Sequence, residues 1–527
     1  MAHNVMIFMT DQQRGATVLP GHRLKAITPR LDQFREEALT FERAYAPSPH
    51  CCPSRTSLFT GLYPSQHGVW NNVNLGNALT RGPREGTAFW SDDFKRAGYD
   101  LVFSGKWHVS NHRSPADFGW RELFLSPPVR RGEASWDAQR KAALQTDIRR
   151  AWRNPRPDAA PRGEGEIIRP GFPTYVQYGV DEDPFHDATV VDHATSWLRA
   201  EASRALSPWM LYVGTLGPHD WYTPPQRFLD LYDVDDIELP ASFADTMSDK
   251  PALYRRTRDR FDQLSEREHR ESIRHYLAFC SYEDHLFGLL LDALKESGAY
   301  DDTAVLYLSD HGDYAGDHGL WTKGLPAFES AYHVPAVISR PGMPEGVRGT
   351  SSRAKVSLID IGPTLCDLCE VGPSAPMAGV PLTPWLAGAR DDDVRDVLFF
   401  QSNGNEAYGI QRVVVTDDHK LVCNLFDDDE LYDLRADPDE MNNLLGGMRT
   451  GRRVGTGPLD LVPEHLRDLV RDLYWKLWEQ ALAYDDEIFN NYIMTAIPTF
   501  GPTVLGLGRA PDGAPVAVGT PAGGTTG

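Results

Sequence analysis

The chain has 527 residues, of which 41% are hydrophobic and 24% charged, a length that supports a large core and more than one domain and a balance typical of a soluble globular protein. A formal net charge of -21 argues against nucleic acid and against anionic membrane surfaces as partners, so an anionic ligand would have to meet positive charge concentrated around its site. Six cysteines are too few for a disulfide framework, and Cys366 and Cys369 sit in a helical pattern with no second pair to complete a zinc site.

The N-terminus enters an apolar strand at residues 5–9 with no charged leader, cleavage site or long apolar stretch, so the expected location is cytoplasmic. This strand leads to Thr10-Asp11-Gln12-Gln13. Next comes Cys51-Cys52-Pro53-Ser54-Arg55-Thr56-Ser57-Leu58-Phe59-Thr60-Gly61. Pro53 suits the first helical position, Leu58 and Phe59 begin an apolar stripe, and Gly61 can end the helix. Cys51 and Arg55 then face one space beside the partly positive helix N-terminus, a setting for an anion. A phosphatase-type Cys-x5-Arg loop is excluded, because Ser57 and Leu58 stand where its arginine would be.

A strand at 100–103 leads to Ser104-Gly105-Lys106-Trp107-His108, where an extended segment would project Lys106 and His108 to one side. Residues 126–180 are Arg- and Pro-rich and read as a long excursion near the site mouth. The strand at 209–213 leads to Gly217-Pro218-His219-Asp220, residues 268–297 read as a scaffold helix, and the strand at 304–308 leads to Ser309-Asp310-His311-Gly312-Asp313. Lys323 follows. Short apolar runs alternating with amphipathic helices predict a large, mostly parallel sheet flanked by helices. Ligands bind outside the carboxyl ends of such strands, so the four polar clusters can converge. Asp11, Gln12, Asp310 and His311 make a metal set that suits calcium, magnesium or manganese better than zinc. Lys106 can hold an anionic oxygen, and His219, supported by Lys323, is a candidate proton donor. Runs at 397–401, 410–415 and 420–423 predict a small antiparallel sheet, 461–488 an amphipathic helix, and the Gly- and Pro-rich end a flexible tail or an arm on a neighbouring subunit.

The Cys51 run resembles the signature of the type I sulfatases, Cys-x-Pro-Ser-Arg followed by x-x-Leu-x-Thr-Gly, with every fixed position filled. The Lys106-x-His108 pair, the Gly-Pro-His219 turn and the Asp310-His311-Gly-Asp stretch with its downstream lysine resemble sulfatase segments in the same order. The resemblance runs from residue 5 to about 445. It implies an alkaline phosphatase superfamily fold: a catalytic α/β domain over 1–385, a smaller C-terminal subdomain of antiparallel sheet plus helix over 386–490, and a tail over 491–527 in a homo-oligomer.

The resemblance also implies hydrolysis of a small anionic sulfate ester to an alcohol and sulfate. Cys51 would be oxidised to formylglycine by a maturation enzyme. Asp11, Gln12, Cys51, Asp310 and His311 would hold one divalent cation, calcium by default, with manganese or magnesium as alternatives. Arg55, Lys106 and the cation would bind the sulfuryl oxygens, His219 and Lys323 would assist the departing alcohol, and His108 would help expel sulfate. Lys106, His219 and Lys323 would contact the substrate. Cys52 falls in a variable position. The rival reading is a phosphonate or phosphate ester hydrolase on the same scaffold, but those relatives tend to replace the Lys-x-His segment. A non-catalytic binding protein or a plain thiol enzyme fits the residues less well. His333 stands where relatives usually carry arginine.

Overall fold

The computed structural model describes residues 3–129, 161–169, 174–389, 394–405, 407–425, 427–446 and 462–488, with a few positions in 142–149. Its strands in chain order are β1 (Asn4–Thr10), β2 (Leu39–Tyr45), β3 (Asp100–Gly105), β4 (Arg121–Leu125), β5 (Glu166–Ile167), β6 (Tyr175–Val176) and β7 (Trp209–Gly214), followed by β8 (Thr303–Ser309), β9 (Ala336–Ser339), β10 (Thr350–Ser357), β11 (Leu398–Gly404), β12 (Tyr408–Val415), β13 (His419–Asn424) and β14 (Glu430–Asp433).

Eight strands form one sheet in the order β10-β2-β9-β8-β1-β7-β3-β4. Every neighbouring pair is parallel except the two made by β9. Strand β1 shows why its sequence is a continuous apolar run. Val5, Ile7 and Met9 enter one core with Leu58 and Phe59, whereas Met6 and Phe8 enter another with Leu286 and Phe287. A strand covered by helices on both faces has no polar face to show. The helix Cys51–Thr60 covers the first side, and the helices Asp187–Ala200 and Glu266–Glu296 cover the second. The last of these begins two residues earlier than its apolar pattern predicts, because Ser265 and Glu268 form a capping box there.

Strands β11 to β14 form a second sheet, antiparallel throughout and in sequential order. The helix Arg467–Ala483 packs Leu473 and Leu477 against its Phe399 and Leu421. This helix is shorter than the predicted 461–488, since Pro463 confines 464–466 to a single tight turn. Buried Arg412 donates from Nη2 to Asp486 Oδ1 at 2.8 Å, and Gln401 Nε2 donates to Asp486 Oδ2 at 2.8 Å, tying the segment after the helix to the sheet. His333 places Nε2 2.9 Å from the Glu42 carbonyl oxygen. The predicted tail at 491–527 lies outside the described residues, as does most of the 126–180 excursion, whose described part contributes the β5–β6 ribbon. Among the described residues, no helix is long and apolar enough to cross a membrane.

Candidate active site

The carboxyl ends of β8, β1, β7 and β3 lie side by side in the sheet, and the four polar clusters follow them. The helix Cys51–Thr60 points its N-terminus at this edge. Cys51 is its first residue and Pro53 its third, so the prediction that Pro53 opens the helix is off by two positions. The third position tolerates proline for the same reason as the first, because the first intrahelical bond is made by Ser54 N to the His50 carbonyl at 3.1 Å. Gly61 ends the helix in the left-handed region at φ 68°. Cys51 and Arg55, four apart, share one helix face. Cys52 points away into a small cluster with Val69 and Val73.

Two carboxylates stand at the bottom of the site, and both are fully buried. Arg55 compensates both: Nε donates to Asp310 Oδ2 at 2.7 Å, and Nη2 donates to Asp11 Oδ2 at 3.0 Å. Its Nη1 donates to the Lys106 carbonyl at 3.2 Å and to the Tyr212 hydroxyl at 3.1 Å. Every guanidinium nitrogen is therefore engaged inside the protein, and Arg55 does not line the cavity. These bonds hold the two carboxylates in place. Lys106 Nζ donates to Asp11 as well. Burial and Cys51 push the Asp11 carboxyl up, but Lys106, Arg55 and His219 overcome them and hold it well below the usual carboxylate range. Burial and neighbouring Asp11 raise Asp310.

Cys51 Sγ lies 3.1 Å from His311 Nε2 and donates to Asp11 Oδ1 at 3.8 Å. Asp11, Cys51, Asp310 and His311 offer one ligand atom each, all within 4.8 Å of one another. Three of the four are hard or borderline donors, which fits a divalent cation on oxygen and imidazole. Burial opposes ionisation of Cys51, yet Lys106, Lys323 and His311 bring its thiol well below the ordinary value. Against the penalty of burial, Asp310 and Cys51 raise His311 to about 8. Gln12, at φ 65°, donates from its backbone N–H to Asp310 Oδ1 at 3.1 Å. Its amide Nε2 donates to Asp313 Oδ2 at 2.5 Å, and its Oε1 accepts from Lys323 Nζ.

His108 departs from the extended segment predicted for it. Its φ is 54°, which turns the ring to place Nε2 3.1 Å from Asn74 Oδ1 while keeping it on the cavity wall beside Cys51. Lys106 and His108 thus reach one site by different routes. His219 Nε2 faces Lys323 Nζ, and its Nδ1 lies 3.2 Å from Asp220 Oδ1. Burial and the Lys323 ammonium push His219 down, while Asp220, a hydrogen bond with Cys51 and Asp11 push it up, and the net displacement is upward.

A cavity of about 390 Å³ opens above Cys51, with His108, His219 and Lys323 among its lining. Sequence reasoning missed several of its walls. His50 is buried, and neither ring nitrogen has a hydrogen-bond partner among the described residues. Burial and His311 push it down to about 3, and its place immediately before Cys51 was the available signal. Asp220 carried the signal of standing next to His219. Asn72, Asn74, Asn405, Tyr175 and Arg260 had none, because loops far apart in sequence bring them together.

A family model described as Sulfatase matches residues 3–371, and one described as N-sulphoglucosamine sulphohydrolase, C-terminal, matches residues 316–452. The choline-sulfatase of Rhizobium meliloti (strain 1021) is 28% identical over 480 residues, covering 87% of this chain and 84% of that protein. The arylsulfatase of Clostridium perfringens (strain 13 / Type A) is 26% identical over 466 residues, covering 86% and 92%. Among solved structures, the phosphonate monoester hydrolase of Agrobacterium radiobacter shares the fold, with a TM-score of 0.68 at 23% identity over 91% of this chain and 96% of that one.

The clustered donors predict that calcium, manganese or magnesium raises the melting temperature. A ligand at a hundredfold excess over its Kd stabilises by about 3 kcal/mol. Asp310→Asn should largely remove the shift in differential scanning calorimetry with and without a chelator. A wild-type chain whose melting ignores all three ions would contradict the assignment.

Proposed function

The chain belongs to the sulfatase family and is a sulfuric ester hydrolase, and we propose that it works through Cys51 converted to formylglycine, beside one divalent cation held by Asp11, Gln12, Asp310, His311 and the modified Cys51. The observation that carries this reading is the position of Cys51 Sγ, on the cavity wall and 3.1 Å from His311 Nε2. Calcium is the default ion for such oxygen-rich donors, and His311 makes manganese the principal alternative. A formylglycine-generating enzyme is the implied maturation partner. Hydrated by one water, the aldehyde carbon would carry two hydroxyls, and the cation would make one of them acidic enough to act as the nucleophile.

The chain's own residues divide the remaining work. Arg55 fixes the carboxylates of Asp11 and Asp310, so the donor set is organised before substrate arrives. Lys106, which is buried, and Lys323, half-buried on the cavity wall, bring positive charge to the sulfuryl oxygens, where it counts for more than in bulk water. His219, beside Lys323, is assigned the proton that goes to the ester oxygen as the sulfur–oxygen bond breaks. Burial and Lys106 push His108 down to about 4, so it is neutral at pH 7 and can take the proton whose removal releases sulfate. The rival phosphonate ester hydrolase shares the scaffold, but Lys106 and His108 favour sulfate, and kcat/KM should be higher for aryl sulfates than for matched aryl phosphonates.

Replacing Cys51 by serine keeps a hydroxyl that can attack sulfur but removes the second one that expels it. Cys51→Ser, expressed as the full chain, should release about one equivalent of alcohol and retain one sulfuryl group, read by intact mass. Sustained turnover by Cys51→Ser would contradict the proposal.

The pH profile carries a second expectation. His219 acts as an acid, so its active form persists below its raised pKa and is lost as pH rises through it. Asp220→Asn removes a negative neighbour, lowers that pKa and should move the basic limb of kcat/KM to lower pH. A basic limb left in place would remove His219 from this role.

A further inference from the structure

Beneath the turn that carries His219 lie two carboxyl groups with no part in the reaction described above. Asp187 is the first residue of the helix Asp187–Ala200, Glu283 lies in the interior of the helix Glu266–Glu296, and both are fully buried. Asp187 Oδ1 accepts the Leu216 N–H at 2.9 Å, and Oδ2 accepts the Gly217 N–H at 2.7 Å. Glu283 faces Asp187 and packs so closely on Gly217 that a Cβ there would collide with Oε1. Neither Glu283 oxygen receives a hydrogen bond from a donor among the described residues. The turn itself is bonded to the working groups of the site. The Gly217 carbonyl accepts the Asp11 N–H at 3.0 Å, and the Leu216 carbonyl accepts the His219 N–H at 3.0 Å. Two consecutive left-handed residues, Phe185 at φ 57° and His186 at φ 64°, bring Asp187 under the turn. Non-glycine residues hold that conformation only where their surroundings enforce it. The Phe185 ring then stands edge-on to the His219 imidazole, with centroids 6.4 Å apart.

We propose that Asp187 and Glu283 act as one positioning unit, a carboxylate and a carboxylic acid sharing a proton, which sets the place of His219 for proton donation. The inference rests on the sulfatase reading, which gives His219 that part. Two buried carboxyls side by side do not both ionise without a counter-ion. Among the described residues neither has a lysine, arginine or histidine beside it. Asp183 and Asp11 face Asp187, while Cys280, Tyr282 and Tyr307 face Glu283, and none of these is a cation. One proton therefore stays on the pair. Asp187 has two backbone N–H bonds and a helix N-terminus, which favour its anion. Glu283 has no donor, and as an acid it can itself donate to Asp187. Burial and then the Asp187 charge push Glu283 well up, whereas burial raises Asp187 against its two N–H bonds. The proton thus belongs to Glu283. The pair carries a single charge, aimed at the N–H groups of Leu216 and Gly217.

The first test is melting temperature against pH for wild type and Glu283→Gln, which cannot ionise. Unfolded Glu283 ionises at about 4.3, while the folded group keeps its proton. Its contribution to stability is complete below that value and is lost as pH rises toward the raised folded value. The difference in Tm should therefore move steadily in favour of Glu283→Gln from about pH 4 to about pH 8. Curves that stay parallel overturn the shared proton. The second test compares mature, metal-loaded wild type with Asp187→Asn on phenyl sulfate and 4-nitrophenyl sulfate. Phenolate leaves poorly and depends on the donated proton, whereas nitrophenolate leaves without it. A displaced acid should lower kcat for phenyl sulfate about tenfold more than for the nitrophenyl ester, part of the ~10²–10⁴-fold that a placed acid supplies. Loss of folded enzyme lowers both equally, so the ratio separates positioning from stability. Asp187→Ser, which keeps one acceptor, should shift the ratio the same way and serves if the asparagine chain fails to fold. Glu283→Leu should move the ratio as Asp187→Asn does, and Glu283→Gln, which restores a donor to Asp187, should bring it back. A ratio unchanged in the Asp187 variants overturns the positioning role and leaves the sulfatase reading in place. Turnover of neither ester by wild type overturns the sulfatase reading and the pair's part in the reaction, while the melting comparison still decides the shared proton.

Discussion

Arg55 holds the site together. Two carboxylates buried out of contact with water, Asp11 and Asp310, end neighbouring strands of the central sheet, and one guanidinium on the Cys51 helix bonds to both. Removing one partner of a buried charge set costs about 3–5 kcal/mol, because the remaining charges are left uncompensated. The same bonds fix the rotation of the helix against the sheet. Arg55 and Cys51 share a helix face, so the arginine that neutralises the donor carboxylates also sets where Cys51 stands beside His311. Structural charge compensation and catalytic geometry are one arrangement here.

Charge in this molecule is arranged by depth. At the bottom, Asp11 and Asp310 are matched by Arg55 and Lys106. In the middle layer, Asp220 is matched by His219 and Lys323. At the mouth, Arg169 and Arg260 are exposed. A strongly acidic chain can thus receive an anion, because the field that matters is that of the cleft and its low-dielectric walls. The surface elsewhere carries the negative excess.

Much of this was legible in the sequence. The central strands are continuous apolar runs because both faces are covered, and each run ends in a polar cluster, so their convergence followed from sheet topology alone. Cys51, Arg55, Lys106, His108, His219, Asp310 and His311 all lie on those clusters or on the helix that caps them, and Lys323 follows the last cluster in the loop after it. Local geometry was less legible. Pro53 entered the helix at its third position, and His108 left the extended path through a positive φ that no residue pattern signals. The role of Arg55 was hidden, because its partners stand on strands 44 and 255 residues away. The cavity walls were hidden for the same reason: Asn72, Arg260 and Asn405 meet only in the folded chain.

The central claim is that the reactive group is made from Cys51 after synthesis. The most direct measurement is the mass of the proteolytic peptide containing Cys51, from protein produced beside an active formylglycine-generating enzyme. The account predicts the mass of an aldehyde or its hydrate at Cys51 while Cys52 stays a thiol. An intact thiol at Cys51 under those conditions would contradict it and leave the buried, acidified cysteine as the group to be explained.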